Sequence, residues 1–488
     1  MELSGWTGAK TFTIDPVLAL LHTLIMSTRM KAKAQRSLWE GVVDVDVRSL
    51  WEPWMVEADQ LLEDEELIEA VLAAQGQRHT HSATRGRAQT AAETALRLLL
   101  LKHVRNWSFD TVEREVSLNL GYREFVRIGL DKVPDAKTLA RIAQAVGADT
   151  IERLHERLVK MAQERGVIQG RRMRVDTTVV ETNIHYPTDS KLLGDGARVL
   201  TRTMKRIEAG GGKLQRRVRN RMRSVNKRVV AIATAGRHKG EQGELRRKKE
   251  YRQLLRLTRQ ILQDTRRIMK ETERVRKPDL RRLREQLATM ADRVRQVVKQ
   301  TRARVFQGIT QLPGKIVSVF EPHTEIIRKG KASKPTEFGK LVQVTEAEHQ
   351  IVTRVDVFAE RPSDRQLLTD AVKGQVQLLG RTPSLVTADA GYYAESHERA
   401  LEEMGVKRVA VPHRNTTSAE RKKLEKSRWF RKAQAWRTGC EGRISVLKRR
   451  HGLSRCLYRG MEGTKRWVGL GVLADNLINL GKALSARA

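Results

Sequence analysis

Cysteine is nearly absent: Cys440 and Cys456 are the two in 488 residues. That excludes a disulfide framework, suits a reducing compartment, and leaves no zinc-type Cys/His spacing, so both thiols read as small packing residues. Long apolar runs are missing too. The stretch Val17–Met26, interrupted by His22 and Thr23, falls short of the ~20 residues a membrane span needs; following Asp15-Pro16, it reads as a capped core helix. The first residues show no basic start before an apolar run, so no secretory signal is expected and a cytoplasmic location is. Acidic residues are in deficit, with 57 Asp and Glu against 94 Lys and Arg, a net charge of +37. Such a balance points to a polyanionic partner, nucleic acid being the commonest.

In so basic a chain, isolated carboxylates need a reason. Asp176 follows Arg174-Val175 and Asp389 follows Leu385-Val386-Thr387-Ala388, each read as the end of a short β-type run. Glu441, in Gly439-Cys440-Glu441-Gly442-Arg443, sits where a basic helix opens.

The first 170 residues read as helical. Leu61 to Ala74 is amphipathic, and Gln75 to Arg87 reads as a loop. Thr90-Ala91-Ala92-Glu93 has the form of a capping box before the apolar run Ala95–Val104. Further helices are expected from Asp110 to Asn119, broken at Gly121-Tyr122-Arg123, and from Lys137 to Val146, stopped by Gly147. Short capped helices with tight turns suit either a helix-turn-helix region or a generic bundle.

Arg171 to Val180 turns β-branched, a strand. Residues 201 to 300 then hold 32 Lys or Arg against 10 Asp or Glu, with Tyr251 the only aromatic. Apolar residues recur there at helical spacing (Leu254, Leu257, Ile261, Ile268), which predicts long antiparallel helices, a coiled-coil hairpin for example. After Pro313, strands are expected at Ile316–Phe320, Leu341–Val344, Gln350–Phe358, Leu385–Thr387 and Val406–Val411. Helices are expected after Ser363-Asp364 and from Ser418 onward.

This order is that of an α/β, ribonuclease-H-like fold: a mixed sheet flanked by helices, interrupted after its first strand by the basic helices and preceded by an all-α domain. The divisions expected are 1–81, an N-terminal helical extension; 82–170, a helix-turn-helix-like DNA-binding or dimerisation domain; 171–190 with 313–488, the catalytic domain; and 191–312, the basic insertion. In such a sheet the first and fourth strands are neighbours, so Asp176 and Asp389 would meet, with Glu441 brought over them by a crossing helix. Three carboxylates can hold two Mg²⁺ ions, Mn²⁺ substituting, about 3.5–4 Å apart. Arg437, Glu441, Ile444, Ser445 and Lys448 share one helical face, a cation on each side of the glutamate. Arg443, Arg449 and Arg450 extend this basic surface toward DNA.

The segments Val175-Asp176-Thr177-Thr178, Thr387-Ala388-Asp389-Ala390-Gly391-Tyr392 and Gly439-Cys440-Glu441-Gly442-Arg443-Ile444-Ser445 resemble, in order, the three motifs of bacterial insertion-sequence transposases with a DDE site. Arg437, Glu441 and Lys448 match the Arg-x3-Glu-x6-Lys signature of that family; Gln434 stands where the signature carries Tyr. The resemblance extends to the group kept as "not classified yet" (ISNCY), which also carries helices after its first motif. It covers about residues 82 to 482. It implies a metal-dependent transposase that binds terminal inverted repeats, nicks strands with water and joins the freed 3′ hydroxyl to target DNA, working as a dimer or larger assembly. The alternatives are a DNA-binding descendant that no longer cuts and a structure-selective nuclease of the same fold, which cuts but does not join. Trp429, Trp436 and Trp467 are candidates to stack on an unpaired base, although core anchoring is the commoner use of Trp. His185 and Tyr186 are candidates to line the site, and His451 to touch phosphate.

Overall fold

The computed structural model describes residues 33, 47–77, 89–211, 214–238, 240–328, 335–362 and 364–487. The expected helix Val17–Met26 and most of the loop Gln75–Arg87 lie outside them.

The N-terminal helices begin where a side chain or a proline can satisfy the first free N–H groups. Helix α1 (Pro53–Leu61) opens on proline, and Asp64 caps α2 (Glu65–Gly76). Helix α3 (Ala92–Val104) has Ala91 at its cap position and no side-chain cap. The expected capping box therefore does not form: Glu93 turns inward and pairs with the buried Arg97 at 3.1 Å. Ser108, Asn119 and Asp135 cap α4 (Phe109–Leu118), α5 (Leu120–Phe125) and α6 (Ala136–Glu164). Gly147, at φ +74° and ψ 170°, leaves the helical region and ends the first helix as expected, and a second helix continues from it across a kink within α6. Helical spacing of Ile151, Leu154, Leu158 and Met161 beyond the kink keeps an apolar stripe against the core. Met55, Leu61, Ile68 and Val71 share one core with α3 to α6, so the division expected at 81/82 does not separate two cores.

Among the described residues the sheet has seven strands: β1 (Arg172–Thr182), β2 (Glu325–Arg328), β3 (Thr336–Glu346), β4 (Val352–Val357), β5 (Leu385–Ala388), β6 (Arg408–Ala410) and β7 (Arg455–Cys456). Their main path runs β2-β3-β1-β5-β6, with β4 also pairing β3 and β7 pairing the end of β1. Strand β3 is antiparallel to β1, whereas β5 is parallel to β1 and β6 to β5. Side chains alternate along β1. Met173 and Val175 face the core under α11 (Asp364–Leu379), which leaves Arg174 and Asp176 for the other face. That face is covered by α14 (Arg428–Arg450) and α15 (Gly460–Ser485), through Val180, Val344, Leu447 and Trp467. Two smaller helices, α12 (Glu395–Glu403) and α13 (Ala419–Lys426), lie between β5 and α14 in the chain.

The expected strand Ile316–Phe320 is absent. That segment lies against the helical insertion instead, and side chains satisfy its backbone: Gln300 bonds both the N–H and the carbonyl of Ile316, and Arg293 donates to the Val319 carbonyl. Strand β2 lies just beyond it, where no strand was expected.

The insertion comprises α7 (Asp189–Ala209), α8 (Met222–Ala235), α9 (Glu241–Glu271) and α10 (Pro278–Gln307). The expected hairpin, α9 with α10, is half of a four-helix bundle. Leu193 and Leu200, Val225 and Ile232, Leu254 and Ile261, and Leu287 and Val294 meet in a core of its own. Helices α7 and α10 touch closely at Gly196, where a Cβ would stand 2.3 Å from Val294 Cγ2.

Helix α15 is buried on nearly every side because it serves two cores at once. Leu470, Leu473 and Leu477 enter the N-terminal core, while Val468 and Val472 enter the one over the sheet. No helix among the described residues is long and apolar enough to cross a membrane.

Candidate active site

Asp176 lies in the middle of β1, not at a strand end as expected. The strand continues past it, buried at Thr178, Val179, Val180 and Thr182. Its position is set by register. Val175 pairs with Ala388 across parallel strands β1 and β5, so the next residues, Asp176 and Asp389, stand side by side at the end of β5. Neighbouring strands run about 4.8 Å apart, close enough for the two carboxylates to act on one group. Asp176 Oδ1 accepts the Thr177 N–H at 2.7 Å. Asp389 is about half exposed, and Arg414, itself well exposed, approaches it only to 3.7 Å.

Helix α14 carries Glu441 across this edge, and three polar contacts place it. Gln434 Nε2 donates to Thr387 Oγ1 at 3.0 Å and to the Ala410 carbonyl at 2.5 Å, tying the helix to the ends of β5 and β6. Beneath the helix, Arg174 forms a buried ion pair with Glu346, its directly opposite neighbour on β3, and its guanidinium lies 4.8 Å from the Trp436 ring centre. Gly439 allows this approach, since a Cβ there would stand 2.2 Å from Arg174 Nη1. Farther along, Arg443 is buried and paired with Asp475 of α15 at 2.6 Å, with Gln350 as a second partner.

Electrostatically the carboxylates differ. Burial pushes the Glu346 carboxyl above its ordinary value, against the pull of Arg174. The Cys440 thiol, directly before Glu441, is pushed well up by burial and then by Glu346 and Asp176, so it stays a protonated packing group. Arg437 spans the site: Nη2 donates to Glu441 Oε1 at 2.9 Å, Nη1 stands 3.9 Å from Asp176 Oδ2, and buried Nε lacks an acceptor.

The structure thus brings Asp176, Asp389, Glu441 and Arg437 to one edge. Lys448 is half-buried farther along the helix, and Arg449 and Arg450 are exposed beyond it. Arg443 does not join them. Expected to face DNA, it is consumed in the ion pair with Asp475, because its position on α14 turns toward α15. His451, expected near phosphate, is likewise buried, 3.4 Å from Asp475. Trp467 is a core anchor whose Nε1 donates to the Gly452 carbonyl at 2.9 Å. Trp436 is half-buried over Arg174, and Trp429 packs edge-on against Phe430. His185 pairs with Asp195 at 2.7 Å, and Tyr186 is 72% exposed against Phe338.

Sequence reasoning missed Arg174, Glu346 and Asp475. The available signal was a lone charge inside an apolar strand or helix, which needs a partner if it is buried.

Among the described residues no three His, Cys, Asp or Glu side chains converge as a metal cluster. The donor set at the edge is nonetheless all carboxylate oxygen, the type hard divalent ions take. The Arg437 guanidinium lies where Asp176 and Glu441 both require positive charge. As they stand, with the Arg437 guanidinium between them, Asp176 and Glu441 do not form a site for such an ion.

Two family models match the chain. A transposase domain (DUF772) covers residues 55–145, the α1 to α6 region, and a transposase DDE domain covers residues 401–481, from α12 through α14 to α15. These two stretches thus match transposase domains, and together they support an insertion-sequence DDE transposase. No curated protein and no solved structure matches it significantly.

Proposed function

We propose that this chain cuts DNA at the ends of its element and joins the freed 3′ hydroxyl to target DNA, on a ribonuclease-H-like catalytic domain. The observation that carries this reading is the β1–β5 register. It sets Asp176 beside Asp389 under the helix that presents Glu441, in a chain with two transposase domains. Asp176, Asp389 and Glu441 would hold the divalent ions, Mg²⁺ or Mn²⁺, which supply Lewis acidity to the attacking and leaving oxygens. Arg437 neutralises Asp176 and Glu441 when no ion is held, and on turning outward becomes a phosphate contact at the mouth of the site. Lys448, Arg449 and Arg450 continue that contact along α14. Gln434, Arg174 and Gly439 are positioning residues that fix the height of the helix over the sheet. The partners are double-stranded terminal repeats and target DNA, bound by a dimer or larger assembly.

The test is incubation with Mg²⁺, a labelled fragment carrying the element's ends and a supercoiled target plasmid, beside Glu441→Gln. End-specific nicks and joined products that vanish in the variant are expected. Nicks without joining would favour a plain nuclease, and end binding without cutting would favour a non-catalytic DNA-binding protein.

A further inference from the structure

Charge on the insertion is ordered along α9. Lys249, Arg252, Arg256, Arg259, Arg266 and Lys270 follow one another at spacings of three and four residues, or a sum of them, and all six are exposed. Gln263 fills the remaining place, so no acidic residue interrupts the row. The opposite row, Tyr251, Leu254, Thr258, Ile261, Thr265 and Ile268, is buried in the bundle core. Helical geometry thus sorts one sequence into an apolar seam and a cationic stripe.

The acids of α9 do not neutralise the stripe. Glu244 pairs with Lys248, Glu250 with Arg228, Asp264 with Arg221 and Glu271 with Arg267, all off the row, and Glu241 lies before the row begins. Arg252, Arg256, Arg259 and Arg266 form no ion pair among the described residues. Beside the stripe lies an open groove of about 560 Å³, lined by Arg252, Leu255, Arg259, Arg302, Phe306 and Gln307. Its three guanidinium groups meet no carboxylate among the lining residues.

The stripe runs outward from the catalytic body. Tyr251, at its near end, feels Asp189 and Arg304, and these two pair at 2.6 Å where α7 leaves the end of β1. Strands β1 and β5 run parallel, so this is the end of the sheet toward which both run, and Asp389 directly follows β5. From Lys249 to Lys270 the stripe is roughly 32 Å long at ~1.5 Å per residue. That is close to the ~34 Å of one turn of B-form DNA.

We infer that the exposed face of α9, with Arg302 of α10, is a binding track for the phosphate backbone of duplex DNA leaving the active site. The inference rests on the transposase reading for the direction of the DNA, but the binding it asserts is separable from catalysis.

The experiment uses the full chain without divalent metal. It measures anisotropy of labelled duplex across a salt series and hydroxyl-radical footprints on an element end. The stripe variant is Arg252→Gln/Arg256→Gln/Arg259→Gln/Arg266→Gln. The charge-matched control is Arg274→Gln/Arg276→Gln/Lys277→Gln/Arg282→Gln, at the bundle tip. Thermal melts of both should match wild type. The stripe variant should lower the slope of log affinity against log salt by about 0.9 per lost contact, and shorten the footprint by roughly one turn, about 10 base pairs. The control should do neither. Equal losses in both variants would overturn the track, since binding would then follow net charge alone, as would an unchanged footprint in the stripe variant. A parallel cleavage assay with Mg²⁺ added, with Asp176→Asn as its non-cutting control, keeps the two claims apart: wild type that binds along the stripe yet does not cut there would sink the transposase reading and leave the track standing.

Discussion

The N-terminal core and the inserted bundle are both helical and both rich in arginine, yet they treat charge oppositely. In the N-terminal core, Arg97 is fully buried and bonds Asp59 at 2.5 Å, Glu93 at 3.1 Å and the Phe125 carbonyl at 3.1 Å. Arg127 closes the network through Asp59 and Glu93. In the bundle most buried polar groups are threonines, and Thr258, Thr265, Thr272 and Thr301 each donate to the carbonyl four residues before; its one buried acid among the described residues, Asp189, pairs at the foot of the bundle with the part-exposed Arg304. The bundle core buries no arginine among the described residues and leaves most of its arginines to the surface. Counting Lys and Arg therefore says that the chain binds a polyanion but not which cations do it. Burial and partner decide that, and they assign Arg97, Arg127, Arg174 and Arg443 to the fold.

The sharpest test of this contrast is Arg97→Ala. It leaves the buried Asp59 and Glu93 to Arg127 alone and opens a cavity in the core, and should cost about 3–5 kcal/mol in denaturant unfolding. A loss as small as that of a surface arginine would break the comparison. Next is pH. Burial lowers the His155 pKa from 6.5 to about 4, and its Nε2 donates to the Val352 carbonyl at 2.9 Å, joining α6 to β4. The folded ring stays neutral while the unfolded one takes a proton between pH 6.5 and 4. Stability is thus fully present above about 6.5 and falls toward pH 4, by on the order of 3 kcal/mol. His155→Gln should flatten that part of the pH profile, and an unchanged slope would count against the assignment.

Gly439→Ala drives a methyl into Arg174 and should cost about 1–3 kcal/mol while lowering strand cleavage, because α14 must lift. Full activity in that variant would show that the height of α14 is not critical. The smallest effect belongs to the bundle surface: each Arg→Gln change on the α9 stripe should alter unfolding by within about 0.5 kcal/mol. A larger value would mean that the stripe is part of the fold.

Much of this molecule could be read from the chain alone. Local pattern located β1, β4, β5 and β6, the long helices of the insertion, and the face shared by Arg437, Glu441 and Lys448. Such patterns depend on near neighbours, and side-chain periodicity of two or 3.6 residues is written in the sequence. Tertiary structure decided what depends on distant ones. Glu93 abandons a cap for Arg97, α6 resumes after Gly147, Ile316–Phe320 gives up strand pairing for Gln300 and Arg293, and Arg443 turns from the DNA side to Asp475. Each outcome turns on which group meets a buried charge or an unpaired backbone amide, and the cost of leaving one unmet outweighs local preference. The adjacency of Asp176 and Asp389 was expected from element order, but only the register of two strands far apart in the chain could place one beside the other.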